Sequence, residues 1–160
     1  MFCLIFTFFS IFFDKNISYI EKYNGLAIQE MHLYVIPASI SLAQGILESA
    51  SGTSPLAQKT NNHFGITCKN TKKKCKPNHC VWHNDAGYIT KYRKYRTAED
   101  SWRHHSIWLQ KPRYVSLQKY GNDYEKWALG LEYAGYARDT SYAEKLIDII
   151  KKYKLYQYDN

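Results

Sequence analysis

One carboxylate stands alone in this chain. Residues 36–53 read IPASISLAQGILESASGT, and from Leu33 to Gln58 the only Asp, Glu, Lys, Arg or His is Glu48. On a helical wheel Ile40, Leu42, Ala43, Ile46 and Leu47 cover one broad side, while Ser41, Gln44 and Glu48 share the other. The stretch therefore reads as an amphipathic helix with a narrow wet face and no cation along it to pair with Glu48. An acid near a helix C-terminus also meets the wrong end of the dipole, at a cost of some tenths of a kcal/mol. Dipole and partial burial both favour the protonated carboxyl. A carboxyl that keeps its proton near neutral pH is what a general acid requires. Glycosidic oxygens leave poorly until protonated, so this residue in this setting points to glycoside hydrolysis.

The cysteines and basic runs offer other chemistry. Cys3 lies in an apolar start, and Cys68, Cys75 and Cys80 cluster further on. In an exported protein the expectation is one disulfide within this trio and one leftover thiol. A metal cluster from Cys68, Cys75, His79, Cys80 and His83 is the alternative, but the spacing matches no standard zinc pattern and no metal is expected. The net charge is +8, concentrated in KNTKKKCK (69–76) and KYRKYR (91–96), which favours anionic partners. Aromatic residues make up 16%, and 15 of them are Tyr. Rings with polar tips suit surfaces that stack on sugars or bases, and equally fill a core.

Positioning these groups falls to a mostly helical chain. MFCLIFTFFSIFF (1–13) is too short for a membrane span of roughly 20 residues and fits the apolar part of a secretory signal. Residues 1–16 are accordingly set apart as an export segment and 17–160 as one domain. ISYIEKYNGLAIQEMHLY places Ile20, Tyr23, Ala27, Ile28 and Met31 at helical spacing. Pro37 opens the second helix, and Ser54–Pro55 open a short third one. Residues 61–95 form an irregular lobe rich in Asn, Gly, Lys, Pro and Cys, in which YITKYRKY alternates like a strand. Helices resume at Thr97, whose relation to Asp100 is that of a capping box, and Trp102, His105, Trp108 and Leu109 give this helix one inner face. NDYEKWALGLEYAG turns Tyr124, Trp127, Ala128 and Leu131 inward and stops at Gly135. SYAEKLIDIIKKYKLY follows with Ala143, Leu146, Ile147, Ile150 and Tyr153 inward.

Four blocks together, IPASISLAQGILESASGTSPLAQKTNNHFGI (36–66), KYRKYRTAEDSWRHHSIWL (91–109), KWALGLEYAGYARDTSYAEKLIDII (126–150) and LYQYD (155–159), resemble glycoside hydrolase family 73 in order and spacing. These are the bacterial endo-β-N-acetylglucosaminidases of flagellar and autolysin type. The resemblance implies a lysozyme-like α+β fold, with a helical lobe, a small β-lobe and a cleft between them. It implies Glu48 as general acid, in the family's AQ-x-x-x-E-S block, with Gln44 in the substrate-binding set. Asn61, Asn62, Phe64, Gly65 and Ile66 correspond to a block that lines the cleft floor, Ile66 as core. Tyr136, in Ala-Gly-Tyr-Ala, takes part in catalysis or orients the acetamido group. Tyr142 is placed with the substrate-binding residues as an aromatic that also packs its helix.

The family's second acid, often near a Thr-x-Glu segment, has no counterpart, since no Glu occurs between Glu48 and Glu99. Asp85 is the candidate, provided that it lies roughly 5–9 Å from Glu48. Otherwise the substrate's own acetamido oxygen attacks the anomeric carbon with Tyr136 supporting it. The resemblance implies cleavage of β-1,4 bonds in peptidoglycan glycan strands, without cofactor, by an exported monomer of the cell envelope that has no stable membrane span after processing. A muramidase or lytic transglycosylase on the same fold is the alternative enzyme. A catalytically weak wall-binding protein is the alternative outside enzymes, and nucleic acid is not an expected partner.

Overall fold

The chain begins its regular structure earlier than its composition suggests. The computed structural model describes residues 14–68, 79–85 and 87–160, with Asp85 described by its backbone only. Helix α1 spans Lys15–Tyr34 and is capped by Asp14, whose side chain accepts from the Asn16 amide. Asn16 donates to the Tyr153 hydroxyl at 2.7 Å, and that hydroxyl donates to Asp14 at 2.9 Å. Ser51 adds a bond to Asn16. Residues 14–16 are thus tied to the far end of the chain, and α1 takes in Lys15 and Asn16, which the sequence reading sets with the export segment.

Helix α2 (Ala38–Ser49) is the largest departure from expectation. Every residue from Ala38 to Ile46 is buried, including Ser41 and Gln44 on the side expected to be wet. The helix runs through the middle of the domain against α1, the last two helices and the C-terminal turn. Its lack of charge is therefore the signature of a central helix, because an unpaired charge there would lose its hydration. Only at Leu47 and Glu48 does it regain partial exposure. Gly45 permits close approach of α1: a Cβ there would lie 2.4 Å from the Tyr19 hydroxyl. The first turn of α2 has no side-chain cap of its own. Asp159, from the other end of the sequence, accepts from the Ser39 amide at 2.8 Å and the Ser39 hydroxyl at 2.6 Å.

Helix α3 (Pro55–Thr60) starts at the Ser54 cap and ends at Asn61, in the left-handed region. Strands β1 (Cys80–Asp85) and β2 (Tyr88–Arg93) pair antiparallel from Cys80↔Arg93 to Asp85↔Tyr88. Residues 66–68 run along the other edge of β2, through Cys68 N–H to Lys91 O at 2.7 Å and Arg93 N–H to Ile66 O at 2.9 Å. A Cys68–Cys80 disulfide closes this small lobe. Closing a loop of about this length limits the unfolded chain by roughly 3 kcal/mol. The pairing takes both thiols, so neither serves as a thiolate ligand in the alternative metal cluster; Cys75 lies outside the described residues.

The remaining helices complete the larger lobe. Helix α4 (Ala98–Trp108) opens with the complete Thr97–Asp100 capping box. Arg103 on α4 makes a forked bond to the buried Glu30 of α1, at 2.8 and 3.1 Å from Nε. After α5 (Pro112–Val115) and a 3-10 turn (Ser116–Tyr120) come α6 (Tyr124–Tyr133) and α7 (Tyr142–Tyr153), then a last 3-10 turn (Leu155–Tyr158). Trp102, Trp127, Leu131, Leu146 and Ile150 are fully buried and join the helices in one core. The expected inward faces of α4, α6 and α7 match this core, except that Trp108, Tyr124, Ile147 and Tyr153 are only partly buried. The result is the expected lysozyme-like arrangement of helical lobe, small sheet and cleft.

Candidate active site

Glu48 occupies the last turn of α2, where the central helix reaches the cleft. The chain then turns through Ala50, Ser51 and Gly52, all at positive φ. The Ser49 hydroxyl donates to Gly45 O at 2.5 Å and accepts from the Gly52 amide at 2.7 Å. This turn sends the chain away and leaves the carboxyl facing a cavity of about 510 Å³.

Three surfaces enclose that cavity. Its floor is Phe64, Gly65, Ile66 and Thr67. Gly65, at φ 60°, lies under the acid, and a Cβ there would sit 3.5 Å from Glu48 Oε2. One wall is Tyr88, Thr90 and Tyr92, the alternate residues of β2 that the pleat sends to one face. The opposite wall comes from the helical lobe and includes Trp108, Arg113, Tyr114, Tyr136 and Arg138.

Behind Glu48 runs a buried chain of hydrogen bonds. The Tyr142 hydroxyl donates to Glu48 Oε1 at 2.9 Å and accepts from Gln44 Nε2 at 3.0 Å. Gln44 Oε1 in turn meets His105 Nε2 at 3.0 Å. The directions are mutually consistent: His105 carries its proton on Nε2, Gln44 relays, and the single Tyr142 proton points at Glu48. Oε1 is thereby engaged as an acceptor, which leaves Oε2 free on the side of Gly65. His105 is fully buried and stacks on Phe64 with centroids 3.9 Å apart. Burial holds its pKa down at about 3, so it stays neutral.

The electrostatics suit an acid. Burial raises the Glu48 pKa, and the Tyr142 hydrogen bond pulls it partly back. Burial first, and then the Glu48 charge, push the Tyr136 hydroxyl well above the usual tyrosine range. Tyr136 therefore remains a phenol able to donate. Its ring stacks on Tyr142 at 5.6 Å, which places it beside the acid.

Apart from Asp85, the expected site residues divide into three groups. Glu48, Phe64 and Tyr136 line the cavity, and Gly65 and Ile66 with them. Gln44 and Tyr142 are buried behind Glu48 and act on it through hydrogen bonds rather than by facing the cavity. Asn61 and Asn62 turn their side chains to the backbone. Asn61 donates to the carbonyls of Tyr95 and Arg96, at 3.3 and 3.0 Å. Asn62 donates to Ile66 O at 2.9 Å and Arg93 O at 3.0 Å and accepts from the Ile66 amide, pinning the floor to β2. The backbone of Asp85 ends β1 opposite Tyr88, and its side chain lies outside the description.

Sequence reasoning missed His105, Thr90, Tyr92, Arg113 and Arg138. Tyr92 was hidden in KYRKYR, read there for its charge, although its alternation with Tyr88 and Thr90 was the available signal. Among the described residues no three His, Cys, Asp or Glu side chains gather as a metal site, and no helix is long and apolar enough to cross a membrane.

Comparison with known proteins is consistent along nearly the whole chain. The family model described as mannosyl-glycoprotein endo-beta-N-acetylglucosaminidase matches residues 24–155. The exo-glucosaminidase LytG of Bacillus subtilis is 34% identical over 91% of this chain and 54% of its own length. The peptidoglycan hydrolase FlgJ of Vibrio cholerae is 26% identical over 86% of this chain and 43% of its own. The chain thus spans about half the length of these curated relatives. The catalytic domain of the autolysin Auto from Listeria monocytogenes superposes with a TM-score of 0.71 at 24% identity, covering 90% of this chain and 87% of that one.

Proposed function

Because this chain belongs to the glucosaminidase family, we propose that it is an exported peptidoglycan hydrolase that cleaves the β-1,4 bond after N-acetylglucosamine in the glycan strand, with Glu48 as general acid. The observation that carries the reading is the placement of Glu48. A carboxyl at the cleft, whose burial favours the protonated form and which Tyr142 orients, is suited to protonate a glycosidic oxygen. Oε2 delivers that proton as the bond to the leaving sugar breaks, and the carboxylate that results is received by the Tyr142 hydrogen bond. A buried donor prepared in this way needs no reorganisation as charge develops.

The electron-deficient anomeric carbon then needs a partner. Among the described residues lining the cleft, Glu48 is the only carboxylate. The substrate's 2-acetamido oxygen fills the role in this proposal, with the Tyr136 hydroxyl orienting it, and Asp85 is the competing candidate as base or nucleophile. Tyr88 and Tyr92 supply rings on which sugar faces stack. The Cys68–Cys80 disulfide fits an oxidising compartment outside the cytoplasm. The apolar residues 1–13 serve as the export segment in this reading.

Glu48→Gln, which keeps the shape and loses the proton, tests the assignment. The variant is expected to retain binding to purified wall and to lose clearing by at least about a hundredfold, the scale of general acid catalysis. Wild-type digests are expected to carry N-acetylglucosamine at their new reducing ends. Terminal N-acetylmuramic acid, or its anhydro form, would instead assign a muramidase or transglycosylase. A wild type that binds wall and never clears it would leave only a wall-binding protein. The length of the released fragments separates cleavage within strands from the terminal action that the name of LytG denotes.

A further inference from the structure

Two cations stand at the cleft, and among the described residues neither is paired with a carboxylate. Arg113, on α5, and Arg138, in the α6–α7 connection, both line the cavity that holds Glu48, and both are exposed. Among the described residues neither forms an ion pair. Asp139, next to Arg138, is held by Lys145 at 2.5 Å and by the Ser141 amide at 3.0 Å. Glu132 is bound to the Ala143 amide at 2.9 Å. Arg113 is held in place without a counter-charge. Its guanidinium lies 4.5 Å from the Tyr114 ring centroid and bonds to the Tyr114 hydroxyl and to Gly135 O. The pKa of Glu48 answers to burial and to Tyr142, so these cations are not arranged to ionise the acid.

Their position explains them better. Arg113 also lines a groove of about 590 Å³ with Lys119, Lys126, Leu129 and Tyr133. Arg138 also lines a second groove, of about 490 Å³, that again includes Leu129 and Tyr133, together with Glu132 and Asp139, whose carboxylates are the ones already bonded to the Ala143 amide and to Lys145. Each arginine is thus the junction between the cleft and one groove, and the two grooves meet at Tyr133. That ring is 97% exposed, beside a half-exposed Leu129. An apolar ridge between two grooves entered past guanidiniums has no use for a neutral sugar polymer. It matches a strand whose sugars carry side arms with carboxylates and apolar groups. Guanidinium binds carboxylate in a planar fork, and an exposed Tyr offers a rigid surface to pack on.

We propose that Arg113 and Arg138 form a subsite for the carboxylates borne on the lactyl-peptide arms of the glycan strand, with Tyr133 and Leu129 packing against the arm. This rests on the peptidoglycan reading above and adds to it a basis for preferring arm-bearing strands over neutral ones. The carboxylate has two sources: the peptide on arms that carry one, and the lactyl group on arms that do not.

The test is binding of soluble strands to Glu48→Gln protein, so that cleavage does not consume the ligand. Three ligands are compared by calorimetry: peptide-bearing strands, the same strands stripped by an amidase so that only the lactyl carboxylate remains, and a neutral N-acetylglucosamine oligomer. Adding Arg113→Gln and Arg138→Gln together is expected to weaken peptide-bearing strands by about 10- to 100-fold, as expected for loss of charge-assisted hydrogen bonds, and to leave the neutral oligomer unchanged. Arg113→Lys with Arg138→Lys is expected to restore part of the affinity, and moderate salt to weaken the arginine protein more than the glutamine one. A loss confined to peptide-bearing strands assigns the peptide carboxylates, a loss confined to stripped strands assigns the lactyl carboxylate that the amidase frees, and an equal loss on both shows that the subsite takes either. Equal weakening of the neutral oligomer, or no weakening of any ligand with the fold intact by thermal unfolding, overturns the subsite. Reducing-end release by the wild-type protein on the same strands reports separately on the hydrolase reading.

Discussion

Replacing Tyr142 by Phe removes one oxygen and with it two hydrogen bonds. Glu48 Oε1 loses its donor, and Gln44 Nε2 loses its acceptor. Gln44 has no exposed surface through which water could substitute, so its amide is left unsatisfied. Such a buried group costs about 1–3 kcal/mol. In a domain of this size each kcal/mol lowers the midpoint of thermal unfolding by roughly 2–4 °C. The ring, its stacking on Tyr136 and its place on α7 are all retained, so the fold survives. The effect on chemistry has a definite sign. Burial raises the Glu48 pKa and the Tyr142 bond lowers it. Without that bond only burial remains, the carboxyl keeps its proton to higher pH, and the alkaline limb of kcat/KM moves upward. At the same time kcat falls at every pH, because the carboxylate formed in the transition state has lost its donor. The assay is reducing-end release from soluble strands across pH, paired with thermal unfolding. An alkaline limb that stays in place or moves downward, with the expected loss of stability, would refute the relay from Gln44 through Tyr142 to Glu48.

Two further outcomes follow from the same structure. Cys68→Ser with Cys80→Ser releases the strap between β1 and the edge segment of β2; it is expected to lower stability by roughly 3 kcal/mol in denaturant unfolding and to reduce activity through the Thr90 and Tyr92 wall. His105, His63 and His104 are held neutral, mainly by burial, with pKa values of about 3, 4 and 4. Lowered values mean that the unfolded chain takes up protons first. The urea midpoint is therefore expected to be steady above about pH 6.5 and to fall progressively toward pH 3–4, and a midpoint that holds to pH 4 would contradict the burial of these rings.

The local signals of the sequence were read accurately where the physics is local. The Thr97–Asp100 box, the Ser54–Pro55 start and the Gly135 stop each act within about one helical turn, and each stands where the sequence puts it. Tyr88–Arg93 forms the strand that the alternation of YITKYRKY predicts. The same reasoning misjudged α2, because a helical wheel shows which residues share a side and not what that side meets. Ser41 and Gln44 are polar and central at once. Gln44 earns its place through partners 98 and 61 residues away. Asn61 and Asn62 match the block expected at the cleft floor, yet their amides go to backbone carbonyls and shape the site without entering it.

By itself the sequence determined that a lone carboxyl, without a cation along its helix, ends an apolar helix in a mostly helical chain of the glucosaminidase family. Hydrogen-bond partners and burial lay beyond it. Only the folded chain brings Tyr142 to Glu48 across 94 positions and Asp159 to the open start of α2 across 120. Only the fold sets Arg113 and Arg138 at one cleft. The reason is one of range: capping and periodicity act over a few residues along the chain, whereas desolvation and hydrogen bonding between side chains depend on which surfaces meet in space. Glu48 stands out in the sequence because its isolation is a local fact. Its proton, its orientation and the company it keeps are tertiary ones.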